Sequence, residues 1–276
     1  MKFVRYGEAG AEKPGVLDDA GRLRDLSGVL PDIAGDALST LAQIDLSSLP
    51  EVTGAPRLGP PVGQVGKLIG IGLNYSDHAA EAGLKPPPEP IVFMKATSSI
   101  TGPNDPVYLP RGSEKSDWEV ELGVVIGRHA KYVTEAEALE YVAGYTIVND
   151  VSERHFQTER KGQWTKGKSC DSFGPIGPWL VTPDEAGDPQ SLDLELDLNG
   201  AKAQRGNTAS MVFSVAHIVS YLSQMMSLHP GDIIATGTPP GVGMGMKPPR
   251  FLREGDVMEL TISGLGTQRQ EVLRDE

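Results

Sequence analysis

Asp117-Trp118-Glu119-Val120-Glu121-Leu122-Gly123-Val124-Val125-Ile126 is the stretch on which the fold turns. Aliphatic residues crowd its second half and Gly127 closes it, so the pattern predicts a β-strand. Residues two apart on a strand point to the same face. Glu119 and Glu121 therefore project side by side, while Trp118, Val120 and Leu122 face the other way. Two carboxylates this close repel each other and lose hydration if buried, so alone they suit a solvated strand edge. A second segment changes that reading. Ala143-Gly144-Tyr145-Thr146-Ile147-Val148-Asn149-Asp150 is another apolar strand, and it ends on an acid. Two Glu from one strand and an Asp from a neighbour make a hard, all-oxygen site, suited to Mg²⁺, Mn²⁺ or Ca²⁺ rather than zinc.

Working outward, the 276 residues allow one large domain or a large domain with a small one. A formal net charge of -12 argues against nucleic acid and against anionic membrane surfaces as partners. No apolar run is long enough to span a bilayer, and Met1 to Tyr6 is too polar for a signal peptide. The single cysteine, Cys170, excludes an internal disulfide framework and fits a reducing cytoplasm. With 33 Gly and 22 Pro, many turns and short strands are expected, hence an α+β protein that is mostly β.

Residues 1–60 read as a small N-terminal domain and 61–276 as the catalytic unit. The catalytic unit opens with a buried strand, Lys67 to Gly72, and a short helix that stops at Gly83 before Pro86-Pro87-Pro88. On that helix His78 and Glu81 share a face, either as an exposed i,i+3 pair or as a general base with its orienting carboxylate. Thr134 and Glu137 form a capping box that predicts a helix start. Gly162 to Ser169 matches the phosphate-loop pattern letter for letter. The match is rejected, because charged residues precede it where a strand is required and Gly174-Pro175 follow where a helix is required. Asn199-Gly200 predicts a hairpin turn. Ser214 caps a helix with an apolar stripe of Val215, Ile218, Val219, Leu222, Met225 and Met226; His217 lies off it. The strand Gly231 to Thr236 runs into a glycine-rich loop that permits close backbone approach to a ligand.

These segments together resemble the fumarylacetoacetate hydrolase family. The resemblance rests on Gly72-Leu73-Asn74-Tyr75 with Asp77-His78 and Glu81, then Phe93-Met94-Lys95, Glu119 to Val125, Asp150, Gln157, Trp164-Thr165, Lys168-Ser169, Gly231 to Ile234 and Thr236 to Pro239. It implies a mixed β-roll core, a small N-terminal domain, a homodimer, and Mg²⁺ or Mn²⁺ on Glu119, Glu121 and Asp150. It also implies that His78 and Glu81 ride on a lid, and that Lys168, Gln157 and Thr238 meet the substrate or its developing oxyanion. Leu73, Tyr75 and Lys95 fall in the substrate-binding motifs. Many members carry Arg where this chain has Leu73, so the distal part of the substrate is held differently. Leu73 and the long loop after Pro239 resemble the branch acting on 2,4-diketo-3-deoxy sugar acids of the rhamnonate and fuconate type. The expected activity is cleavage of the C3–C4 bond of such a 2-oxo acid to pyruvate and a hydroxy acid. The alternative is a lyase of the same family, for ureidoglycolate or oxaloacetate.

Overall fold

The computed structural model describes residues 1–46, 48–77 and 85–275. The organising strand runs from Val120 to Ile126, and all seven of its residues are buried. Trp118, Val120, Leu122, Val124 and Ile126 enter one apolar core, as alternation requires. Val125 faces a second core on the other side. The strand is flanked on both edges by antiparallel partners, Val142–Asn149 and Ile233–Ala235. Buried pairing on both sides explains why the run reads as continuously apolar after Glu121.

From this centre the main sheet extends in two directions. On one side Ile233–Ala235 pairs parallel with Leu68–Gly72, which pairs antiparallel with Ile91–Lys95. On the other, Val142–Asn149 pairs with Gly174–Val181, and that strand pairs with Lys2–Tyr6. Lys13–Leu17 and Leu23–Asp25 complete the edge. Residues from the first 60 thus continue the main sheet, and Phe3, Val16, Leu26 and Ile33 share the second core with Leu68, Val148 and Ile233.

A five-stranded sheet packs against this one. Its order is Ala201–Asn207, Asp193–Leu198, Val257–Ile262, Gly266–Arg274 and Val107–Leu109, the last pair parallel. Leu194, Leu196, Leu260 and Ile262 meet Leu122, Val124 and Ile147 in the first core, so the fold is mostly β with mixed sheets. Asn199 and Gly200 make the expected turn, both with positive φ.

The helices are few. Val215–Met225 begins at Ser214, whose Oγ accepts from the His217 N–H. Val215, Ile218, Val219 and Leu222 are buried as predicted, but Met225 is exposed, because it lies at the margin of the stripe on the last turn. The expected helix from Thr134 is a correction. Thr134 Oγ1 does reach the Glu137 carboxylate at 2.6 Å, yet the chain makes a turn and a single 3₁₀ segment, Ala138–Tyr141. It then enters Val142–Asn149 directly, leaving no room for a further turn.

Gly144 marks how tightly the sheet is closed. A Cβ there would lie 2.2 Å from the Val181 carbonyl oxygen on the neighbouring strand. Gly144→Ala should therefore destabilise by about 1–3 kcal/mol through overpacking. Thermal unfolding would register a Tm lower by roughly 2–10 °C; an unchanged Tm would show that this sheet can shift to admit a methyl group.

Candidate active site

The antiparallel register brings the acids together. Val120 pairs with Asn149, and the Asp150 N–H donates to the Glu119 carbonyl at 2.9 Å. Asp150 therefore leaves its strand beside Glu119 and Glu121. Each of the three offers a carboxylate oxygen, all within 4.8 Å of one another, and all three residues are buried.

Two buried lysines and an arginine meet this charge. Lys168 Nζ lies 2.7 Å from Glu119 Oε2 and 2.6 Å from Asp150 Oδ2. Lys95 Nζ lies 2.6 Å from Asp150 Oδ1 and 3.1 Å from the Val151 carbonyl. Arg154 spans Glu119 Oε1 at 2.7 Å and Asp117 Oδ2 at 2.8 Å. Burial pulls the Lys168 ammonium toward neutrality, but Asp150 and Glu119 outweigh it and hold its pKa above the ordinary value. Lys95 is pushed down, by burial first; it has one carboxylate partner and is repelled by Lys168. The surrounding acids thus favour the charged form of Lys168 more strongly than that of Lys95.

Glu121 differs from its neighbours. Among the described residues no basic side chain touches it; its Oε2 accepts from the Gly237 N–H at 2.8 Å. Burial, then repulsion from Asp150 and Glu119, raises its pKa well above the carboxylate range. Asp117, Glu119 and Asp150 are in direct contact with Lys95, Arg154 and Lys168, and Glu121 joins them as a fourth acid without such a contact among the described residues. Hard oxygen donors, close spacing and a carboxylate without a basic contact among the described residues fit a divalent cation such as Mg²⁺ or Mn²⁺ on Glu119, Glu121 and Asp150.

Several elements wall a cavity of about 560 Å³ above this floor. Lys168 comes from a single helical turn, Thr165–Lys168, tied down by Thr165 Oγ1 on the Met94 carbonyl at 2.9 Å. Gln157 sits on a wide π-turn, His155–Glu159, and its Oε1 accepts from Arg154 at 3.0 Å. That bond leaves the Gln157 amide N–H₂ as the donor toward the cavity it lines. Thr238 lines the cavity too, held by Gln204 at 2.8 Å and donating to the Val120 carbonyl at 2.9 Å. Leu73 lines it with a φ of 53°, an unusual conformation for a bulky residue.

Two expected substrate contacts are placed elsewhere. Lys95 is spent on Asp150 and does not line the cavity. Tyr75 is buried in the core, and its hydroxyl has no hydrogen-bond partner among the described residues. The predicted pair His78 and Glu81 lies outside the described residues. Sequence reasoning passed over Arg154, hidden in a charged run that reads as solvated, and Asp117. For Asp117 a signal existed: it precedes Glu119 and Glu121 at the same two-residue interval, on one face.

Asp117 also anchors the loop that roofs the cavity. Its carboxylate accepts from the Gly243 N–H at 2.7 Å and the Met244 N–H at 3.0 Å, and Trp118 Nε1 donates to the Gly241 carbonyl at 3.1 Å. Arg154 thus ties an expected metal ligand, a cavity-lining amide and the roof loop into one network.

Comparison with known proteins agrees with this geometry. Residues 67–273 match the model of the fumarylacetoacetate (FAA) hydrolase C-terminal family. A protein of Burkholderia orbicola (strain MC0-3), bearing a provisional hydrolase name, is 63% identical over 276 residues, 98% of each chain. The solved fumarylacetoacetate hydrolase of Exiguobacterium antarcticum is 37% identical and covers all of both chains, with a TM-score of 0.87. The maleylpyruvate hydrolase of Sphingobium sp. SYK-6, solved with manganese(II) and pyruvate, is 27% identical over all of both chains, with a TM-score of 0.83.

The uncompensated charge gives opposite signs with and without metal. In EDTA, Glu121→Gln should raise Tm, because it removes a buried repulsion. With Mn²⁺ at a hundred times the wild-type Kd, the wild type should gain about 2.7 kcal/mol. The variant should lose most of that gain, and calorimetry should show Mn²⁺ affinity at least about tenfold weaker. Equal Mn²⁺ affinity in both proteins would remove Glu121 from the ligand set.

Proposed function

This chain belongs to the fumarylacetoacetate hydrolase family, and we propose that it is a metal-dependent hydrolase cleaving the C3–C4 bond of a 2,4-diketo acid to pyruvate and a second acid. The observation that carries this reading is the buried acid triad with Lys168 shared between two of its members, of which Glu119, Glu121 and Lys168 line a cavity. Mg²⁺ or Mn²⁺ on Glu119, Glu121 and Asp150 would supply Lewis acidity at the 2-oxo acid end of the substrate. The manganese(II) and pyruvate held by the maleylpyruvate hydrolase relative support the same pairing of metal and 2-oxo acid here.

The chain's own groups divide the remaining work. His78, oriented by Glu81, takes a proton from water, and the resulting hydroxide attacks C4. Lys168 is held charged and Gln157 presents an N–H₂, so both donate to the oxyanion that forms on C4. The C3–C4 bond then breaks, its electron pair goes to C3, and protonation there gives pyruvate. Arg154 holds Glu119 and Gln157 in fixed relation, so the donors need not reorganise as charge moves. The 2,4-diketo-3-deoxy sugar acids fall within this class, with lactate as second product for a six-carbon substrate.

A coupled pyruvate assay tests the reading. Pyruvate should form from a 2,4-diketo acid in Mg²⁺ or Mn²⁺, and EDTA should abolish it. His78→Ala should lower kcat by about 10²–10⁴-fold with Mn²⁺ binding unchanged. Near wild-type turnover in that variant would refute the base assignment. Pyruvate and CO₂ from oxaloacetate alone would make the protein a lyase.

A further inference from the structure

The cavity has two unlike halves. Glu119, Glu121, Arg154 and Lys168 form its charged part, where Arg154 and Lys168 both pair with Glu119. The rest of the lining is largely apolar, Leu73, Phe93, Trp164, Val242, Met244 and Met246, and it begins at Phe93, whose ring centroid lies 5.0 Å from Lys168 Nζ. The two aromatic rings on that wall are seated by the backbone beneath them. Gly70 and Gly72 are two apart on the Leu68–Gly72 strand and so share a face. A Cβ on Gly70 would lie 2.2 Å from the Phe93 ring, and one on Gly72 would lie 2.4 Å from the Trp164 ring. Each ring therefore rests directly on a glycine, and the rings meet at 5.5 Å with a 57° tilt. Residues larger than glycine at 70 and 72 would push both rings off the strand, so the sequence builds this wall deliberately into the sheet. The loop after Val242 brings two methionines to the same cavity, and their flexible thioethers adapt to varied apolar shapes. The loop's backbone is fixed to Asp117 and Trp118 at Gly241, Gly243 and Met244.

We infer that the outer half of this cavity is a specificity subsite for an apolar group, aromatic or branched aliphatic, on the distal side of a 2-oxo acid. Phe93 and Trp164 form its rigid wall and Met244 and Met246 its adaptable one. The inference rests on the 2-oxo acid reading of the floor. A polyol has few partners on such a wall. Thr158 already donates to the Arg154 carbonyl at 2.8 Å, and Lys247 is exposed at the rim. Each hydroxyl buried without a partner weakens binding about fivefold or more. A phenyl group gains about tenfold or more from leaving water.

Calorimetry on the full chain with Mn²⁺ tests the subsite through ligands that cannot be cleaved. The set is 2-oxobutanoate, 2-oxo-4-phenylbutanoate, 2-oxoadipate and a 2-keto-3-deoxy sugar acid. The phenyl ligand should bind at least about tenfold tighter than 2-oxobutanoate, and the sugar acid no tighter than 2-oxobutanoate. Trp164→Ala should bring the phenyl ligand to within about threefold of its parent; Met244→Ser should shrink the same ratio and serves if the first variant does not fold. Tightest binding by the sugar acid, or by 2-oxoadipate through Lys247, would overturn the inference. Because no turnover is needed, a protein that releases no pyruvate can still show the phenyl preference: that outcome rejects the hydrolase reading and keeps the subsite.

Discussion

Three carboxylates held out of water within 4.8 Å of one another are the constraint around which this molecule is arranged. Such a cluster is costly unless cations accompany it. The fold supplies them from three separate places. Lys95 ends an edge-side strand, Arg154 precedes a π-turn, and Lys168 ends a single helical turn. Each is buried, and each would be intolerable there without the acids. The mutual dependence fixes short, irregular elements that have little stability of their own. It still leaves Glu121 without a basic partner among the described residues, so the cluster could hold a metal ion.

The same network couples the floor of the cavity to its roof. Arg154 holds Glu119, Gln157 and Asp117 at once, and Asp117 in turn accepts two N–H groups of the roof loop. A displacement of the loop is therefore felt at Glu119, a candidate metal ligand, through three charge-assisted contacts. The strand that carries Glu121 and the strand whose glycines seat the aromatic rings belong to one sheet, with Ile233–Ala235 between them, which suits a site needing fixed geometry at both ends.

The glycines of this sheet serve close approach rather than turning. Gly144 lets two strands close, while Gly70 and Gly72 receive aromatic rings. None of the three has the positive φ that marks a turn glycine. The high glycine count, which at first suggests only loops, is thus partly spent inside strands where side chains of other elements must lie flat.

Much of this was written locally in the sequence. Alternation placed Glu119 and Glu121 on the face opposite Trp118, Val120 and Leu122, and the acid ending the next apolar strand completed the triad. The Ser214 cap and the Asn199-Gly200 turn are likewise local, because each depends on neighbouring backbone groups. The helix expected at Thr134 failed because its cap contact formed, but the strand to follow claimed the residues. What only tertiary structure decided is the pairing of charges across the chain. Lys95 and Lys168 are 73 residues apart and share one carboxylate; Arg154 looks like a surface charge until Asp117 and Glu119 are seen against it. Tyr75, expected at the substrate, lies buried in the core, whereas Trp164 lines the cavity. Periodicity tells which face a residue takes; it carries no information on which distant residue will meet it there, because that depends on strand order and register.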